Sequence, residues 1–289
     1  MTELLNAENT LQSTVGSNCQ PKRIYDYLRS DMSLSSKLIK RVKYGGVFLN
    51  GEAVTMRSVV KPGDEIRIAL PTLSSENIRP IYMPLKIIYE DEHFIAVDKP
   101  ANMPTHPSRS NHLPTLAEGL SAYFSPAPFV FRAINRLDRD TGGIVIVAKN
   151  AYSANELSKV MKASGFIKKY DAVVCGVPSP EQALIDAPIA RLVEGEMKRG
   201  VTPTGKHAIT EYKLLKKYED GNSLVEITLH TGRTHQIRVH MAYIGHPLVN
   251  DFLYGERCAP GTYRLHAKSI SFINPFTKRE MNLCSPSGF

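Results

Sequence analysis

The segment NRLDRDTGGIVIVA, residues 135–148, joins a dense cluster of charges to an apolar run. Two carboxylates and two guanidinium groups fall within residues 136–140, and five consecutive apolar residues, 144–148, follow a pair of glycines. The apolar run predicts a buried strand, and charges at the mouth of such a strand are costly unless they are paired or hydrated. Core packing does not explain this cluster, so the loop before the strand is a candidate functional site.

Strand signals dominate the chain on both sides of this segment, from residue 85 to residue 289. The clearest strands are predicted at 144–149, 170–176, 224–229 and 269–273, and helices are predicted near 114–124, 151–163 and 234–244. This mixture indicates an α+β domain with a mixed, largely antiparallel sheet.

A compact helix-plus-hairpin unit is predicted at residues 20–71, after a loose leader at 1–19 and before a proline-containing linker at 72–84. Its helix, from about residue 33 to residue 43, carries apolar residues four apart on one side. Lys37, Lys40 and Arg41 fall on another side, either as a solvated face or as a binding surface. The dipeptide Asn50-Gly51 predicts the hairpin turn.

The composition of the chain favours a polyanionic partner. The 289 residues carry a net charge of +8 with a pI near 9.2, which favours RNA or DNA over a membrane; solubility alone is the alternative explanation. The four cysteines form no Cys-x-x-Cys pair, and residues 1–20 do not resemble a signal peptide. No run is long enough to cross a bilayer. A cytoplasmic, monomeric protein is therefore expected.

Two aspartates of the charged loop are candidates for chemistry, Asp138 and Asp140. An aspartate in a loop at the end of a strand can be held in place and remain accessible to a substrate. The alternative for either residue is a turn-capping role. Local sequence does not separate the two.

A second candidate region is TGRTHQIRVHM, residues 231–241, which is predicted to begin a helix capped by Thr234. The free amides of its first turn, next to Arg233, suit a phosphate, and Arg238 could reach an aspartate on another segment. His235 and His240 are five residues apart, which is poor geometry for a shared metal, so structural or RNA-contacting histidines and no metal are expected.

Tyr170 opens a predicted strand directly after Lys168 and Lys169. Its ordinary role would be half-buried packing with the hydroxyl in water. The chain has no Gly-rich phosphate loop, no dinucleotide fingerprint and no Gly-x-Ser-x-Gly elbow, so ATP, nicotinamide and serine-hydrolase chemistries lose support.

Four segments in this order resemble the motifs of the RluA family of RNA pseudouridine synthases, across residues 85–289. They are NRLDRDTGGIVIVAKN, KKYDAVVCG, TGRTHQIRVHMAYIGHPLVNDFLYG and RLHAKSISFINP. The segment VFLNGEAVTMRSVVKPGDEIRI is similar to the alpha-L RNA-binding motif, and this likeness extends over residues 20–71. The resemblance implies a pseudouridine synthase catalytic domain behind a small RNA-binding domain.

The resemblance also implies a role for each matching residue. Asp138 would be the nucleophile, held ionised by Arg238, and Tyr170 would stack on the target base and take part in proton removal from carbon 5. Attack at the ribose, attack at the base and a glycal route remain open for Asp138. RNA contacts would come from Arg136, Arg233, His235, Lys37, Lys40 and Arg41. The reaction requires no cofactor and no metal.

The implied activity is isomerisation of uridines in structured RNA, with ribosomal RNA favoured and transfer RNA possible. The alternatives are a non-catalytic RNA-binding or ribosome assembly factor and a glycosylase that cleaves without rejoining. Most members of the family have His where this chain has Asn135 and Ser where it has Gly143. These departures are expected to affect substrate choice or loop rigidity more than activity.

Overall fold

The computed structural model of the chain describes residues 4–6, 10–70, 78–107, 113–163, 165–255 and 261–289. Part of the predicted linker, residues 72–77, lies outside the described residues, as does the side chain of Lys37. Within the described ranges, none of the helices combines the length and the apolar character that spanning a membrane would require.

The N-terminal unit contains a five-stranded sheet, a two-stranded sheet and two short helices. Its elements are β1 (Leu4–Asn6), β2 (Thr10–Thr14), β3 (Lys22–Arg23), α1 (Ile24–Ser30), α2 (Ser36–Val42), β4 (Val47–Leu49), β5 (Glu52–Ala53), β6 (Val59–Val60) and β7 (Glu65–Ala69). The larger sheet has the order β1-β2-β7-β4-β5, and β3 pairs with β6. Asn50 and Gly51 both have positive φ, which is the geometry that the Asn-Gly turn between β4 and β5 requires.

The prediction of a loose leader over residues 1–19 is wrong for residues 10–15. β2 pairs antiparallel with β7 along its full length, and Leu11 and Val15 are buried in the core of the unit. Burying these two apolar side chains and completing a row of backbone hydrogen bonds offsets the loss of chain entropy. The polar composition of the segment concealed this alternation of buried and exposed positions.

The C-terminal part of the chain forms one nine-stranded sheet with three helices and a small hairpin. Its elements are β8 (Lys86–Glu90), β9 (Phe94–Lys99), α3 (Leu116–Tyr123), β10 (Gly142–Ala148), α4 (Ala151–Lys162), β11 (Ile167–Val174), β12 (Gln182–Asp186), β13 (Ile189–Arg191), β14 (Arg199–Val201), β15 (Ile209–Lys217), β16 (Ser223–Leu229), α5 (Gln236–Tyr243), β17 (Leu265–Ile273) and β18 (Glu280–Cys284). The predicted α+β class with a largely antiparallel sheet is confirmed.

The strand order β12-β15-β16-β11-β17-β10-β9-β8 places β17 at the centre of the large sheet. β17 pairs antiparallel with β11 and β18, but its pairing with β10 is parallel and includes only Gly142 and Gly143. β10 and β17 therefore meet only at the start of β10, and residues 137–141 lie directly before this meeting point.

Apolar side chains cover both faces of the large sheet. One cluster includes Val145, Tyr170 and Ile237, so it joins β10 and β11 to α5. On the other face, Ile144 and Leu157 belong to a cluster that joins β10 to α4. Because every residue of β10 is buried, the predicted fully apolar strand is confirmed, and it fixes the end of the charged loop.

The N-terminal unit packs on α4 of the large domain. Tyr152 of α4 is part of the buried N-terminal cluster, and Phe276, before β18, packs against the same cluster. The side-chain amide of Asn155 donates to the Ser33 carbonyl at 3.3 Å, next to the start of α2. These contacts fix where α2 lies on the surface of the domain.

Candidate active site

The loop before β10 is held by a buried lysine. The ammonium group of Lys99 has no exposed surface and donates to the carbonyls of Pro100, Met103 and Arg139 at 2.7–3.1 Å. The Thr105 hydroxyl donates to the carbonyl of the residue before Asp138 at 2.8 Å. Burial lowers the pKa of Lys99 to about 8. These bonds hold the loop backbone at both ends of the Asp138 position.

Asn135 fastens the start of the loop to β10. Its side-chain amide donates to the Ile144 carbonyl at 2.8 Å, and its side-chain carbonyl accepts from the Ile146 amide at 2.8 Å. Asn135 is buried, and each half of its side-chain amide forms a hydrogen bond with the backbone of β10. The neutral residue at this position therefore contributes to loop rigidity.

A serine at position 143 does not fit this fold, so the prediction that places the family serine there is wrong. Gly143 has a φ of +106°, and a Cβ added to it would lie 2.4 Å from the Ala267 carbonyl oxygen. A Cβ on Gly142 would instead meet the Nδ1 atom of the His266 ring at 2.9 Å. A side chain can move where a strand backbone cannot, so Gly142 is the position of the pair that can carry a serine.

Asp138 lies between two nitrogen groups from the start of α5. Its Oδ2 atom is 3.7 Å from Nη1 of Arg238 and 3.8 Å from Nε2 of His235. The Asp138 side chain is 32% exposed, whereas that of Arg238 is 5% exposed. The carboxylate is thus open to a ligand on one side and faces a buried cation on the other.

Asp140 lies in a different environment and is not available for chemistry. Its carboxylate is buried and accepts from Nε and Nη2 of Arg139 at 2.9 and 3.0 Å. Arg139 itself is exposed, so the pair closes the loop against the domain. This geometry separates Asp138 from Asp140, which the local sequence leaves equivalent.

Arg238 is bound more tightly to a second aspartate, Asp251, than to Asp138. Nε and Nη2 of Arg238 each donate to a carboxylate oxygen of Asp251 at 2.7 Å. Burial by itself lowers the pKa of Arg238, but the hydrogen bonds and charge of Asp251, together with Asp138, outweigh it and raise the pKa. Arg238 therefore remains a fixed positive charge at the site.

The start of α5 differs from the predicted start at Thr234. His235 is the residue before the helix, in a left-handed conformation with a φ of 58°, and its side chain makes no cap hydrogen bond. Gln236 fixes the preceding loop instead, because its side-chain oxygen accepts from the Arg233 amide at 2.9 Å. Thr234 was predicted as the cap, but the Gln236 amide donates to the Arg233 carbonyl at 3.1 Å and leaves Thr234 in the loop before the helix.

His235 faces Asp138 through its Nε2 atom and Tyr254 through its Nδ1 atom, which is 2.8 Å from the Tyr254 hydroxyl. Burial lowers the pKa of His235, and Arg238 lowers it further, whereas Asp138 opposes both effects. The imidazole is therefore mainly neutral at pH 7. His235 was predicted to contact RNA. The structure places its ring beside the partly exposed carboxylate of Asp138.

Tyr170 is buried on β11, in the same apolar cluster as Ile237 of α5. The ordinary role expected from the sequence, half-buried packing with the hydroxyl in water, does not fit Tyr170, which is 6% exposed. Burial and the Asp138 charge raise the pKa of Tyr170 well above its ordinary value, so the phenol is protonated at neutral pH. Tyr170 is thus a neutral phenol, and the effect of Asp138 on its pKa places it near the carboxylate.

The other predicted RNA-contacting residues lie on the surface. Arg136 and Arg233 are both exposed, and Nε of Arg233 donates to the His207 carbonyl at 2.9 Å. Lys40 and Arg41 are exposed on α2, whose Leu38 and Val42 are buried. Arg41 lies close enough to Arg132 for its charge to add to burial in lowering the pKa of Arg132. One cation of the N-terminal unit and one of the large domain are therefore neighbours.

Three further residues shape the site and were missed in the sequence: Lys99, Asp251 and Tyr263. The Tyr263 ring lies 4.5 Å from the centre of the Arg238 guanidinium, and burial and Asp138 raise its pKa. Asp251 and Lys99 are charged residues inside apolar stretches, which is the available signal, because such residues are seldom buried without a partner. Tyr263 carries no comparable signal.

The arrangement provides a partly exposed carboxylate beside a permanent cation, with protonated phenols around it. An ionised aspartate can attack an electrophilic carbon or remove a proton, and Arg238 places a buried cation 3.7 Å from it. A flat, neutral ring such as Tyr170 can stack on a base that has left its helix. The site therefore suits chemistry on one nucleotide.

Comparisons with known proteins identify a family for this arrangement. The family model described as RNA pseudouridylate synthase matches residues 93–243. A Bacillus subtilis (strain 168) protein, "Uncharacterized RNA pseudouridine synthase YjbO", is 37% identical over 262 residues, or 89% of this chain and 92% of that protein. The residues matched by the family model include the loop of Asp138, the strand of Tyr170 and helix α5.

A second relative and a solved structure agree with this family. "Ribosomal large subunit pseudouridine synthase D" of Vibrio cholerae serotype O1 is 32% identical over 269 residues, covering 87% of this chain and 82% of that protein. The structure of "Human RNA Pseudouridylate Synthase Domain Containing 1" superposes with a TM-score of 0.59 and 27% identity, covering 71% of this chain and 84% of that one. The large sheet therefore has the fold of such a domain.

Proposed function

This chain belongs to the RNA pseudouridylate synthase family and is an RNA pseudouridine synthase, and we propose that it acts on ribosomal RNA with Asp138 as its reacting carboxylate. The observation that carries this proposal is the position of Asp138, partly exposed and 3.7 Å from the buried guanidinium of Arg238. Asp140, the competing aspartate, is buried in its pair with Arg139.

Ribosomal RNA is proposed as the substrate because a relative similar over most of this chain is named as a ribosomal large subunit enzyme. The net charge of +8 and the exposed Lys40 and Arg41 of α2 suit a large folded polyanion. Such cations contact phosphates and give affinity, whereas the choice of uridine depends on the shape and single-stranded parts of the RNA. Transfer RNA is the second substrate to test.

The reaction breaks the bond between ribose carbon 1 and uracil N1, forms a bond from the same carbon to uracil C5, and moves the C5 proton to N1 or solvent. Asp138 supplies the carboxylate that begins this exchange, and Arg238 keeps it ionised. Tyr170 serves as the platform for the base outside its helix. Its raised pKa supports stacking over a role as a free phenolate base.

We expect Asp138→Asn to abolish this isomerisation, because an amide has no negative charge with which to attack or to remove a proton. RNA labelled with tritium at uracil C5 releases tritium to water when C5 forms its new bond. We expect wild-type protein to release tritium from ribosomal RNA, and Asp138→Asn to be slower by about 10³-fold or more with unchanged RNA affinity.

The matched control is Asp220→Asn, which removes an exposed aspartate from a turn and is expected to keep the wild-type rate. Parallel reactions with ribosomal RNA and transfer RNA decide between the two substrates. Free uracil in place of pseudouridine would indicate a glycosylase. Binding of RNA without any tritium release by the wild type would indicate a non-catalytic binding protein, and either result would refute the proposal.

A further inference from the structure

Asp251 is the most deeply buried carboxylate next to the site. Its side chain has no exposed surface, and its two oxygens accept from Nε and Nη2 of Arg238 at 2.7 Å each. Its Oδ1 atom also accepts from the backbone amides of Leu253 and Tyr254 at 3.1 and 3.3 Å. The turn after Asp251 therefore fixes the carboxylate, and the carboxylate fixes Arg238.

The pairing divides the guanidinium between two aspartates. Asp251 occupies the Nε–Nη2 edge, so Nη1 is the group of Arg238 that lies towards Asp138, at 3.7 Å. A planar guanidinium bound bidentately along one edge cannot rotate without breaking both hydrogen bonds. The direction of Nη1 is therefore set by Asp251.

Aromatic rings reinforce the same orientation. The guanidinium carbon of Arg238 lies 4.5 Å from the centre of the Tyr263 ring, 5.0 Å from that of Tyr254 and 5.9 Å from that of Phe252. Such contacts favour one plane for the guanidinium and keep water away from it. The apolar surroundings have a low dielectric constant, which strengthens the electrostatic interaction between Arg238 and Asp138.

The pairing also determines how much positive charge Asp138 experiences. Asp251 and Arg238 together carry no net charge, so Arg238 acts on Asp138 as one end of a neutral ion pair. An unpaired guanidinium at the same distance would hold the Asp138 proton off more strongly and would make the carboxylate a weaker nucleophile. The pair thus provides orientation while limiting the loss of reactivity.

We propose that Asp251 is a positioning residue, which holds the Nη1 group of Arg238 towards Asp138 and offsets the Arg238 charge. This inference rests on the proposed function, because it assigns Asp251 a role in the reaction of Asp138. Asp251 does not touch the reacting atoms; it acts through Arg238.

The test compares wild type, Asp251→Asn and Asp251→Glu, with Asp220→Asn as the surface control. Tritium release from C5-labelled ribosomal RNA is measured in single turnovers at saturating protein between pH 5 and pH 9. RNA affinity is measured by filter binding. We expect Asp251→Asn to lower the plateau rate by about 10²-fold with RNA affinity within twofold, because a misdirected Nη1 affects the reaction and not the binding.

The pH profile separates this role from a purely structural one. Without the Asp251 charge, the full charge of Arg238 acts on Asp138, so we expect the acid limb of Asp251→Asn to move about 1 unit to lower pH. Asp251→Glu retains the charge but moves the carboxylate, so its rate falls while its acid limb stays in place. A structural defect would lower the rate without moving the limb.

Other titrating groups face Asp138 and must be accounted for. They are Arg238 and His235 at α5, Tyr170 on β11, Tyr254 and Tyr263 from the segments that follow α5, and Lys99 at the end of β9. The three phenols have raised pKa values, and Lys99, near 8, acts on the alkaline side only. The comparison is therefore repeated in a His235→Gln background, where the same shift is expected.

Three outcomes would overturn the inference: a wild-type rate in Asp251→Asn, an acid limb of Asp251→Asn that stays in place or moves to higher pH, or a rate loss fully explained by lost RNA affinity. If Asp251→Asn does not fold, as judged by its thermal transition, Asp251→Glu decides. A wild-type rate in a folded Asp251→Glu overturns the inference, and a slow Asp251→Glu whose RNA affinity and thermal transition match the wild type supports it. Absence of tritium release by wild type refutes the proposed function instead.

Discussion

At the scale of single residues, close backbone approach determines the shape of the catalytic loop. Gly143 lies where β10 passes β17, and its position leaves no space for a side chain. Asn135 and Lys99 then hold the two ends of the loop through backbone carbonyls and amides. The exposed carboxylate of Asp138 is therefore carried by a rigid support, as a reacting group requires.

We expect Gly143→Ser to destabilise the protein by about 3 kcal/mol, because it combines an unfavourable φ with a clash against Ala267. Gly142→Ser is the matched variant, since the one close contact of its Cβ is with the His266 ring, and a loss of about 1 kcal/mol is expected. Urea unfolding measures both variants. Equal losses, or a larger loss at position 142, would contradict the assigned geometry.

The sequence identified Asp138, Tyr170 and Arg238, but not their surroundings. A charged loop before an apolar strand is visible locally, and the structure brings Arg238 to it from a hundred residues away in the chain. Asp251 was missed because its position in an apolar stretch indicates a buried charge with a partner but does not identify Arg238 as that partner. Pairing across the fold is a property of tertiary structure.

At the scale of elements, α2 presents its cations on the side opposite to its buried residues. Leu38 and Val42 pack in the N-terminal core, and Lys40 and Arg41 are exposed, next to Arg132 of the large domain. Like charges from two units repel one another unless an anion lies between them. This surface therefore suits an RNA phosphate.

We expect the double substitution Lys40→Ala with Arg41→Ala to weaken RNA binding and to reduce the slope of log Kd against log salt by about 1.5. Both side chains are exposed, so the thermal transition is expected to stay in place. The control pair is Lys213→Ala with Lys216→Ala, exposed in β15 beside the edge strand β12. A salt slope identical to wild type would show that α2 does not contact RNA.

Element types were predictable where one periodicity dominated the sequence. The fully apolar β10 and the helices α2 and α4 lie close to their predicted positions, because their burial follows from their own patterns. The start of α5 was misplaced because His235 adopts a left-handed conformation that only its contacts stabilise. β2 was missed because its pairing partner, β7, lies about fifty residues away.

At the scale of the whole molecule, five histidines with lowered pKa values make stability depend on pH. Burial is the largest cause that lowers the pKa of His93, His106, His235, His240 and His266. The unfolded chain binds protons on these rings near pH 6.5, whereas the folded chain does so only at lower pH. Between these values the unfolded state binds more protons, so acidification favours unfolding.

We therefore expect the free energy of unfolding to fall as the pH is lowered below about 6.5, by at most about 1.4 kcal/mol per histidine for each pH unit. Urea unfolding at pH 7.5, 6.5 and 5.5 measures this fall. Calorimetry in two buffers of different ionisation enthalpy should show proton uptake on unfolding near pH 6. Constant stability over this range, or proton release, would contradict the expected burial of these rings.

The central position of β17 has a consequence for the synthesis of the protein. β10 and β11 are separated in the sheet by a strand that the ribosome makes about a hundred residues later. Until β17 emerges, the nascent chain holds two partial sheets with bare edges, which are prone to mispairing and to capture by chaperones. Tyr170 and Asp138 therefore come together only late in translation, so a growing chain cannot modify RNA before its last central strand arrives.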